Sequence, residues 1–178
     1  MKRFAALVGL VAILAGCTVE RTAEVQTAAS VSAHLREAAV EPARSLRISR
    51  AQLEEVQGTG RSLPWLLVFD SSGALIHEEE GYTLGLAARL ERSLTGREPV
   101  SPPRSLAAEA ASYETLDGEP VLLDPAVADF VFVDHWAVWC IPCKPQMRSL
   151  QRFIADHPDW EIDLVLVNWD EIARAGGP

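Results

Sequence analysis

Two cysteines separated by two residues follow an apolar run, and this feature constrains the fold of the chain most. The run at 130–134 contains no glycine or proline and predicts a buried strand that continues toward Cys140. A helix is predicted to begin at the cysteine pair and to end near residue 156, because apolar residues recur there with helical spacing. A further strand is predicted at 162–167. The cysteines are therefore expected where a buried strand gives way to a helix.

The positions of the two cysteines suit thiol chemistry. A cysteine reacts as a thiolate, and the unpaired backbone N–H groups and the dipole at the first turn of a helix stabilise that form. Cys140 is predicted to lie at that place, and Cys143, one turn further, can resolve a mixed disulfide by attacking it. Pro142 is tolerated because first-turn N–H groups lack helix partners. A pair with this spacing also suits zinc or copper, so its surroundings decide between these functions.

The run VFVDHWAVWCIPCK at 131–144 resembles the thioredoxin superfamily, in which a strand leads into a tryptophan-flanked pair at a helix start. The resemblance implies an α/β thioredoxin-like fold, with a central mixed sheet flanked by helices. In that family an acidic residue six positions before the first cysteine lies buried beneath the pair and helps to move a proton to or from the second cysteine, and Asp134 has this spacing. The alternative for Asp134 is a solvent-exposed strand end. Trp139 is expected to contact partner proteins, and Lys144 to favour a thiolate.

Residues 113–124, which contain Leu-Asp-Gly-Glu-Pro-Val, look like the amino-terminal hairpin of the TlpA/ResA subgroup, the envelope-anchored members of the superfamily. The Ile-Pro dipeptide inside the pair also resembles this subgroup. The resemblance implies a thiol-disulfide oxidoreductase that reduces protein disulfides, with no cofactor besides its own disulfide. The implied partners are envelope proteins with disulfides or thiols and a membrane electron donor. Oxidation or isomerisation by the same residues stays open, because the direction depends on the reduction potential.

The order of the remaining elements departs from that family. Its members continue, after the strand corresponding to 162–167, with a helix, a strand introduced by a cis-proline, a partner strand and a last helix. In this chain the segment 45–98 predicts those elements, with Pro64 before the first strand. We therefore predict a circular permutation in which Pro64 faces Cys140 and supports the site. A proline-rich linker at 99–112 would join the old carboxyl terminus to the old amino terminus.

Two alternatives to this arrangement stay open. Pro64 could be an ordinary trans-proline, because cis bonds are only about 5% of X–Pro bonds. The halves 45–98 and 113–178 could instead be the remnant of one domain and a truncated second domain, completed by another chain. That arrangement would leave an exposed sheet edge beside 162–167, which is an aggregation liability. Completion within the chain is therefore favoured.

The amino-terminal residues are predicted to lie outside the folded domain. Two basic residues precede an apolar run at 4–14, which is typical of a secretion signal and too short to cross a bilayer as a helix. The small residues before Cys17 resemble a bacterial lipobox, which implies a lipoprotein signal peptide at 1–16 and lipid attachment at Cys17. The segment 17–44 is predicted to be a tether with a short helix at about 31–40. The alternative is an ordinary signal peptide with an incidental cysteine. The resemblance to a lipobox favours a location in the bacterial cell envelope and, within the envelope, at the outer membrane.

Charge and cysteine count restrict the function further. The net charge of -9 at pH 7 argues against nucleic acid as a partner. Lipidation would use one of the three cysteines, which leaves only the closely spaced pair for function. No metal site is predicted, but Cys140, Cys143 and His135 could serve as soft ligands in a copper-delivery protein, although a packing role is expected for His135. A scaffold or partner-binding lipoprotein that does not use the pair is the third possibility.

Overall fold

A computed structural model of the protein describes residues 25–42, 44–53 and 61–171. These residues form a mixed α/β fold, as predicted, and their one sheet has six strands. The predicted signal peptide at 1–16 and the predicted lipid-attachment residue Cys17 lie outside the described residues. Lipid anchoring therefore stays a prediction.

The helices and strands follow one another in an order close to that predicted. In chain order they are α1 (Ala28–Glu37), β1 (Arg44–Ile48), β2 (Trp65–Asp70), β3 (Leu75–Glu80), α2 (Leu86–Gly96), α3 (Leu106–Ala110), β4 (Tyr113–Thr115), a 3-10 turn (Pro125–Val127), β5 (Phe130–Trp136), α4 (Cys143–Asp156) and β6 (Ile162–Asn168). None of the helices in the described part of the chain is long and apolar enough to span a membrane.

The sheet has the strand order β3-β2-β5-β6-β1-β4. β6 pairs in parallel with β5 on one side and with β1 on the other. β2 pairs antiparallel with β5 and β3, and β4 pairs antiparallel with β1. β5 is buried along its whole length, as expected for an apolar strand with neighbours on both sides. Because β5 and β6 are parallel, their carboxyl ends meet at one edge of the sheet, and the cysteine pair follows β5 at that edge.

The upstream half of the chain shares this sheet with the downstream half. β2 begins directly after Pro64 and lies beside β5, with Trp65 opposite His135. The peptide bond between Leu63 and Pro64 is cis. α2, which follows β3 in the chain, contacts both β3 and α4. The two halves therefore build one sheet together, which argues against a truncated domain that another chain completes.

The prediction of a tether at 17–44 is wrong from residue 28 onward. Helix α1 is the short helix that was predicted at 31–40, and it buries Val31 and Leu35 in the main core cluster. A segment without aromatic residues was expected to stay in solvent. Two aliphatic side chains one turn apart are nevertheless enough to attach this short helix to the domain.

Strand β1 was not predicted from the sequence. Its charged residues do not give the apolar pattern of a buried strand. Arg47 is nevertheless buried in the sheet, because its guanidinium is paired to Glu114 of β4 at 2.8 Å. The helix expected at the start of the segment 45–98 begins at residue 50, and residues 54–60 lie outside the described residues.

The predicted linker at 99–112 is bound to the edge of the sheet. The backbone N–H of Val100 donates to the carbonyl of Leu75 at 2.8 Å, and the N–H of Leu75 donates to the carbonyl of Arg104 at 3.0 Å. Helix α3 lies inside this segment and buries Leu106 completely. The segment thus connects the two halves and also covers the outer side of β3.

Candidate active site

The two cysteines of the pair are joined by a disulfide bond. The sulfur atoms of Cys140 and Cys143 lie 1.96 Å apart, and the two Cα atoms lie 5.4 Å apart. α4 begins at Cys143, one turn later than predicted, so Cys140 lies in the turn that precedes the helix. The pair remains at the amino-terminal end of α4, where the positive end of the helix dipole favours a thiolate.

The two cysteines differ in their access to solvent. Cys140 is 4% exposed, and Cys143 is fully buried beneath it. The neighbouring side chains Trp139 and Ile141 are 49% and 80% exposed. An exposed aromatic and an exposed aliphatic side chain therefore flank the more accessible sulfur, as expected of a surface that contacts another protein. The predicted role of Trp139 in such a contact fits this placement and stays a prediction.

Asp134 lies on β5 and is completely buried. The alternative of a solvent-exposed strand end is therefore wrong. Burial raises the pKa of Asp134 to about 8, and a hydrogen bond from Gln146 offsets part of this rise. In that bond Nε2 of Gln146 donates to Oδ1 of Asp134 at 2.8 Å. The other carboxylate oxygen, Oδ2, has no hydrogen-bond partner among the described residues.

The contact between Asp134 and Gln146 places the carboxyl group under the first turns of α4. Cys143 and Gln146 are three residues apart in this helix and lie on the same face. Both are buried, together with Met147 of the next position. The buried cysteine, the amide and the carboxyl group therefore belong to one enclosed region between α4 and β5. A carboxyl group in this place can accept or donate a proton with little competition from solvent.

Pro64 lies at the end of β2 that faces the disulfide loop. The register of β2 against β5 places Trp65 opposite His135, so Pro64 comes next to Trp136, the last residue of β5. The carbonyl of Pro64 accepts the backbone N–H of Gly81 at 2.7 Å, which holds it to the end of β3. The strand order thus brings a residue from the upstream half to the loop that carries the disulfide. Its role as active-site support stays a prediction.

The last residue of β6 and the two residues after it hold this loop, and the sequence did not identify them. Oδ2 of Asp170 accepts the backbone N–H of Val138 at 2.7 Å and Nδ2 of Asn168 at 2.9 Å. The backbone N–H of Trp169 donates to the carbonyl of Trp136 at 2.8 Å. The available signal was topological, because residues that follow two neighbouring parallel strands lie at the same edge of a sheet.

Helix α1 borders the site on the side of α4. The ring of His34 stacks on Trp136 with 5.6 Å between the ring centroids. Nζ of Lys144 lies 3.6 Å from a carboxylate oxygen of Glu37, and Nε of Arg148 donates to the carbonyl of Ala38 at 3.0 Å. Burial lowers the pKa of His34, and the charge of Lys144 lowers it further. Lys144, predicted to favour a thiolate at the pair, thus also forms an ion pair with α1.

His135 has the packing role that the sequence favoured. Its Nδ1 lies 3.0 Å from the carbonyl oxygen of Trp65 and its Nε2 lies 2.9 Å from the hydroxyl of Tyr113. A carbonyl can only accept, so Nδ1 carries the hydrogen and Nε2 accepts from the hydroxyl. The ring stacks on Trp65 with 4.3 Å between the centroids, and burial lowers the pKa of His135 to about 3. Both ring nitrogens of this neutral histidine are occupied.

The geometry gives the copper hypothesis little support. Successive residues of a strand point to opposite faces of the sheet, so His135 lies on the face opposite Asp134 and away from the buried side of α4. Within the described residues there is no group of three or more His, Cys, Asp or Glu side chains that could hold a metal ion.

Comparison with curated proteins finds partial relatives. The chain is 30% identical to the thioredoxin-like protein YneN of Bacillus subtilis over 64 residues, which are 36% of this chain and 37% of that protein. It is 32% identical to the thiol-disulfide oxidoreductase ResA of Oceanobacillus iheyensis over 57 residues, which are 32% of this chain and 30% of that protein. It is 26% identical to ResA of Halalkalibacterium halodurans over 58 residues, 33% of each chain.

These relatives support a place for the chain in the thioredoxin superfamily. The chain spans about a third of the length of the curated relatives it matches. No family model matches the chain, and no solved structure matches it. The mixed six-stranded sheet and the disulfide at the start of α4 are compatible with a thioredoxin-like fold.

Proposed function

We propose that this protein is a bacterial envelope thiol-disulfide oxidoreductase that reduces protein disulfides with the dithiol of Cys140 and Cys143. The observation that carries the proposal is the disulfide between these residues at the start of α4, above the buried carboxyl group of Asp134. The names of the partial relatives support the same activity. Its redox group is this disulfide.

The reaction begins at the more accessible sulfur. The thiolate of Cys140 attacks a substrate disulfide, a mixed disulfide forms, and the first substrate sulfur leaves as a thiolate that takes a proton from water. The thiol of Cys143 then gives its proton to Asp134 and attacks Sγ of Cys140. The bond between Cys140 and the substrate breaks, and the second substrate sulfur leaves with the electron pair. Two electrons have passed to the substrate, and the protein holds the disulfide.

A circularly permuted thioredoxin fold is part of this proposal. Its support is that β2, which comes early in the chain, pairs with β5 and carries β3 on its other side, and that the helix following β3 contacts α4. The residues at 99–112 would be the segment that joins the old termini. In this arrangement Pro64 lies beside the disulfide loop although it is remote from Cys140 in sequence.

The cellular setting is likewise proposed from the amino-terminal sequence. Cys17 would carry the lipid anchor, with the domain facing the extracytoplasmic side and the outer membrane favoured. Turnover as a reductant then needs a membrane electron donor that re-reduces the pair. Envelope proteins with disulfides would be its substrates.

Insulin reduction tests the activity. The full chain should accelerate insulin reduction by dithiothreitol, and the variants Cys140→Ser and Cys143→Ser should both lose this acceleration. Only Cys143→Ser should accumulate mixed disulfides with envelope proteins, because its attacking thiol remains. Trapping by Cys140→Ser instead would reverse the assignment of the two cysteines, and full activity of both variants would refute the proposal.

The direction of electron flow needs a separate measurement. Equilibrating the full chain with glutathione buffers gives the reduction potential of the pair, and a reductant should lie well below the roughly -180 mV of protein disulfide isomerase. A potential at or above that value would contradict a reducing role and would favour oxidation or isomerisation by the same residues.

A further inference from the structure

Gln146 is a buried polar residue that the proposed reaction does not yet use. Its side chain is 1% exposed, and its Nε2 donates to Oδ1 of Asp134, itself completely buried, at 2.8 Å. A buried amide is costly unless it is hydrogen-bonded. Gln146 also lies one helical turn after Cys143, on the face of α4 that covers Asp134. The side chain of Gln146 is therefore placed to interact with the carboxyl group of Asp134 and not with solvent.

The hydrogen bond makes the two oxygens of the carboxyl group unequal. An amide NH₂ group can only donate, so Oδ1 must act as an acceptor whether Asp134 is protonated or ionised. When the carboxyl group is protonated, the hydrogen therefore resides on Oδ2. Oδ2 has no partner among the described residues, so its proton is not committed to another hydrogen bond.

The remaining surroundings of Asp134 are apolar. Its neighbours across the sheet are Leu66 of β2 and Leu166 of β6, and both are buried. Its contact on α4 is Gln146, and Cys143, which carries a thiol when the disulfide is reduced, lies one turn before Gln146 on the same face of the helix. Burial raises the pKa of Asp134, the Gln146 hydrogen bond offsets part of that rise, and no charged neighbour contributes to it.

We propose that Gln146 is the positioning residue that selects Oδ2 of Asp134 as the oxygen that exchanges a proton with Cys143. This inference rests on the proposed function and deepens it. In the reducing direction the Sγ–H bond of Cys143 breaks and an Oδ2–H bond forms, and the resulting thiolate attacks Cys140. In the reverse direction the same proton returns from Oδ2 to Cys143 as the disulfide opens. Gln146 itself gains and loses no proton.

Gln146→Met is the variant that tests this role, because methionine has similar length and no amide donor. Loss of a hydrogen bond to the charged carboxylate should raise the proton affinity of Asp134 about tenfold, or about one pKa unit. Carboxyl ¹³C NMR of the oxidised full chain measures this without any turnover. Ser149→Ala is the matched control, since Ser149 lies on the same helix and donates instead to the carbonyl of Pro145.

The pH profile of the resolving step gives the kinetic test. In Gln146→Met its midpoint should move upward by about one unit, and the rate at pH 7 should fall about tenfold, because fewer molecules hold Asp134 in its accepting form. The double variant Asp134→Asn with Gln146→Met should show no further change beyond Asp134→Asn. An unchanged carboxyl titration in folded Gln146→Met would overturn the inference.

The unmodified protein supplies a second test that does not depend on the folding of a variant. The side-chain amide resonances of Gln146 should titrate with the midpoint of the Asp134 carboxyl group, and their insensitivity to pH would also overturn the inference. Failure of the proposed function would look different. In that case insulin reduction would be absent, while the amide and the carboxyl group would still titrate together.

Discussion

Oδ2 of Asp170 accepts the backbone N–H of Val138 at 2.7 Å, so the turn after β6 holds the turn that leads to Cys140. The same oxygen accepts Nδ2 of Asn168, and Oδ1 of Asn168 accepts the backbone N–H of Asp170. Asp170 is buried, so solvent does not replace these bonds readily. The disulfide loop is therefore fixed by residues that lie some thirty positions later in the chain.

Asp170→Ala should destabilise this loop. The variant leaves the buried Nδ2 of Asn168 and the partly buried N–H of Val138 without their acceptor, which costs about 1 to 3 kcal/mol. Urea denaturation of the oxidised protein should show that loss in the free energy of unfolding. Asp170→Asn is the matched control, because its side-chain oxygen can still accept from Val138. Its free energy of unfolding should fall clearly less. Equal stability of Asp170→Ala and the unmodified protein would show that the bond does not hold the loop.

The sequence predicted the elements whose signals are local. The apolar run before Cys140, the helical spacing after it and the strand predicted at 162–167 gave β5, α4 and β6. The spacing of Asp134 from the pair also predicted its burial, because the thioredoxin-like pattern carries that position with it. These features depend on a single stretch of chain, and a single stretch can be interpreted without its partners.

The remaining features depend on contacts between distant segments. Strand β1 was not recognised because it contains the charged residue Arg47, and the partner that allows its burial, Glu114, lies 67 residues away. Gln146 reads as an ordinary polar helix residue until Asp134 is found beneath it. The role of Asp170 follows only once β5 and β6 are known to be parallel neighbours. Pairs of this kind are set by topology, which hydrophobic periodicity does not specify.

The raised pKa of Asp134 makes stability fall as pH rises. Its pKa is about 8 in the folded protein against 3.8 for the ordinary carboxyl group, so between these values the folded state binds more protons than the unfolded state. The contribution is fully present below about pH 4 and is lost as pH rises to about 8. Asp134→Asn has no such loss. Between pH 4 and pH 8 its free energy of unfolding should therefore gain on the order of a few kcal/mol relative to that of the unmodified protein.

Urea unfolding of the oxidised protein at pH 5 and pH 8 measures this difference. The stability gap between Asp134→Asn and the unmodified protein should be wider at pH 8. Asp159→Asn serves as a control, because Asp159 is an exposed carboxylate in the turn before β6. Parallel stability profiles of Asp134→Asn and the unmodified protein would contradict a protonated carboxyl group at this position.

The hydroxyl of Tyr113 should stabilise the fold through His135. Tyr113→Phe removes the donor to Nε2 and leaves that buried nitrogen unsatisfied, at a cost of about 1 to 3 kcal/mol. In the background of His135→Phe the same change should cost much less, since no acceptor remains. A double-mutant cycle on the free energy of unfolding measures this coupling. Additive effects would mean that the two side chains do not form the hydrogen bond.

Helix α1 should contribute to the stability of the domain. Leu35 is buried in the main core, so Leu35→Ala should lower the free energy of unfolding by about 2 to 5 kcal/mol. Arg36→Ala, on the exposed side of the same helix, should change it by less than about 0.5 kcal/mol. A neutral Leu35→Ala would restore the interpretation of this segment as a tether.

Trp139 should contribute to the recognition of protein substrates. Its side chain is half exposed beside the accessible sulfur of Cys140, so the domain itself loses little when it is truncated. Trp139→Ala should lower kcat/KM for insulin about tenfold, which corresponds to about 1.4 kcal/mol of binding in the transition state. The rate with a small disulfide such as hydroxyethyl disulfide should stay within about twofold, because that substrate is too small to cover the indole. Val127→Ala is the matched control, since Val127 is 46% exposed but precedes the opposite end of β5. Equal losses with insulin and with the small disulfide would instead assign Trp139 to the reactivity of the pair, and no loss with insulin would remove it from the contact surface.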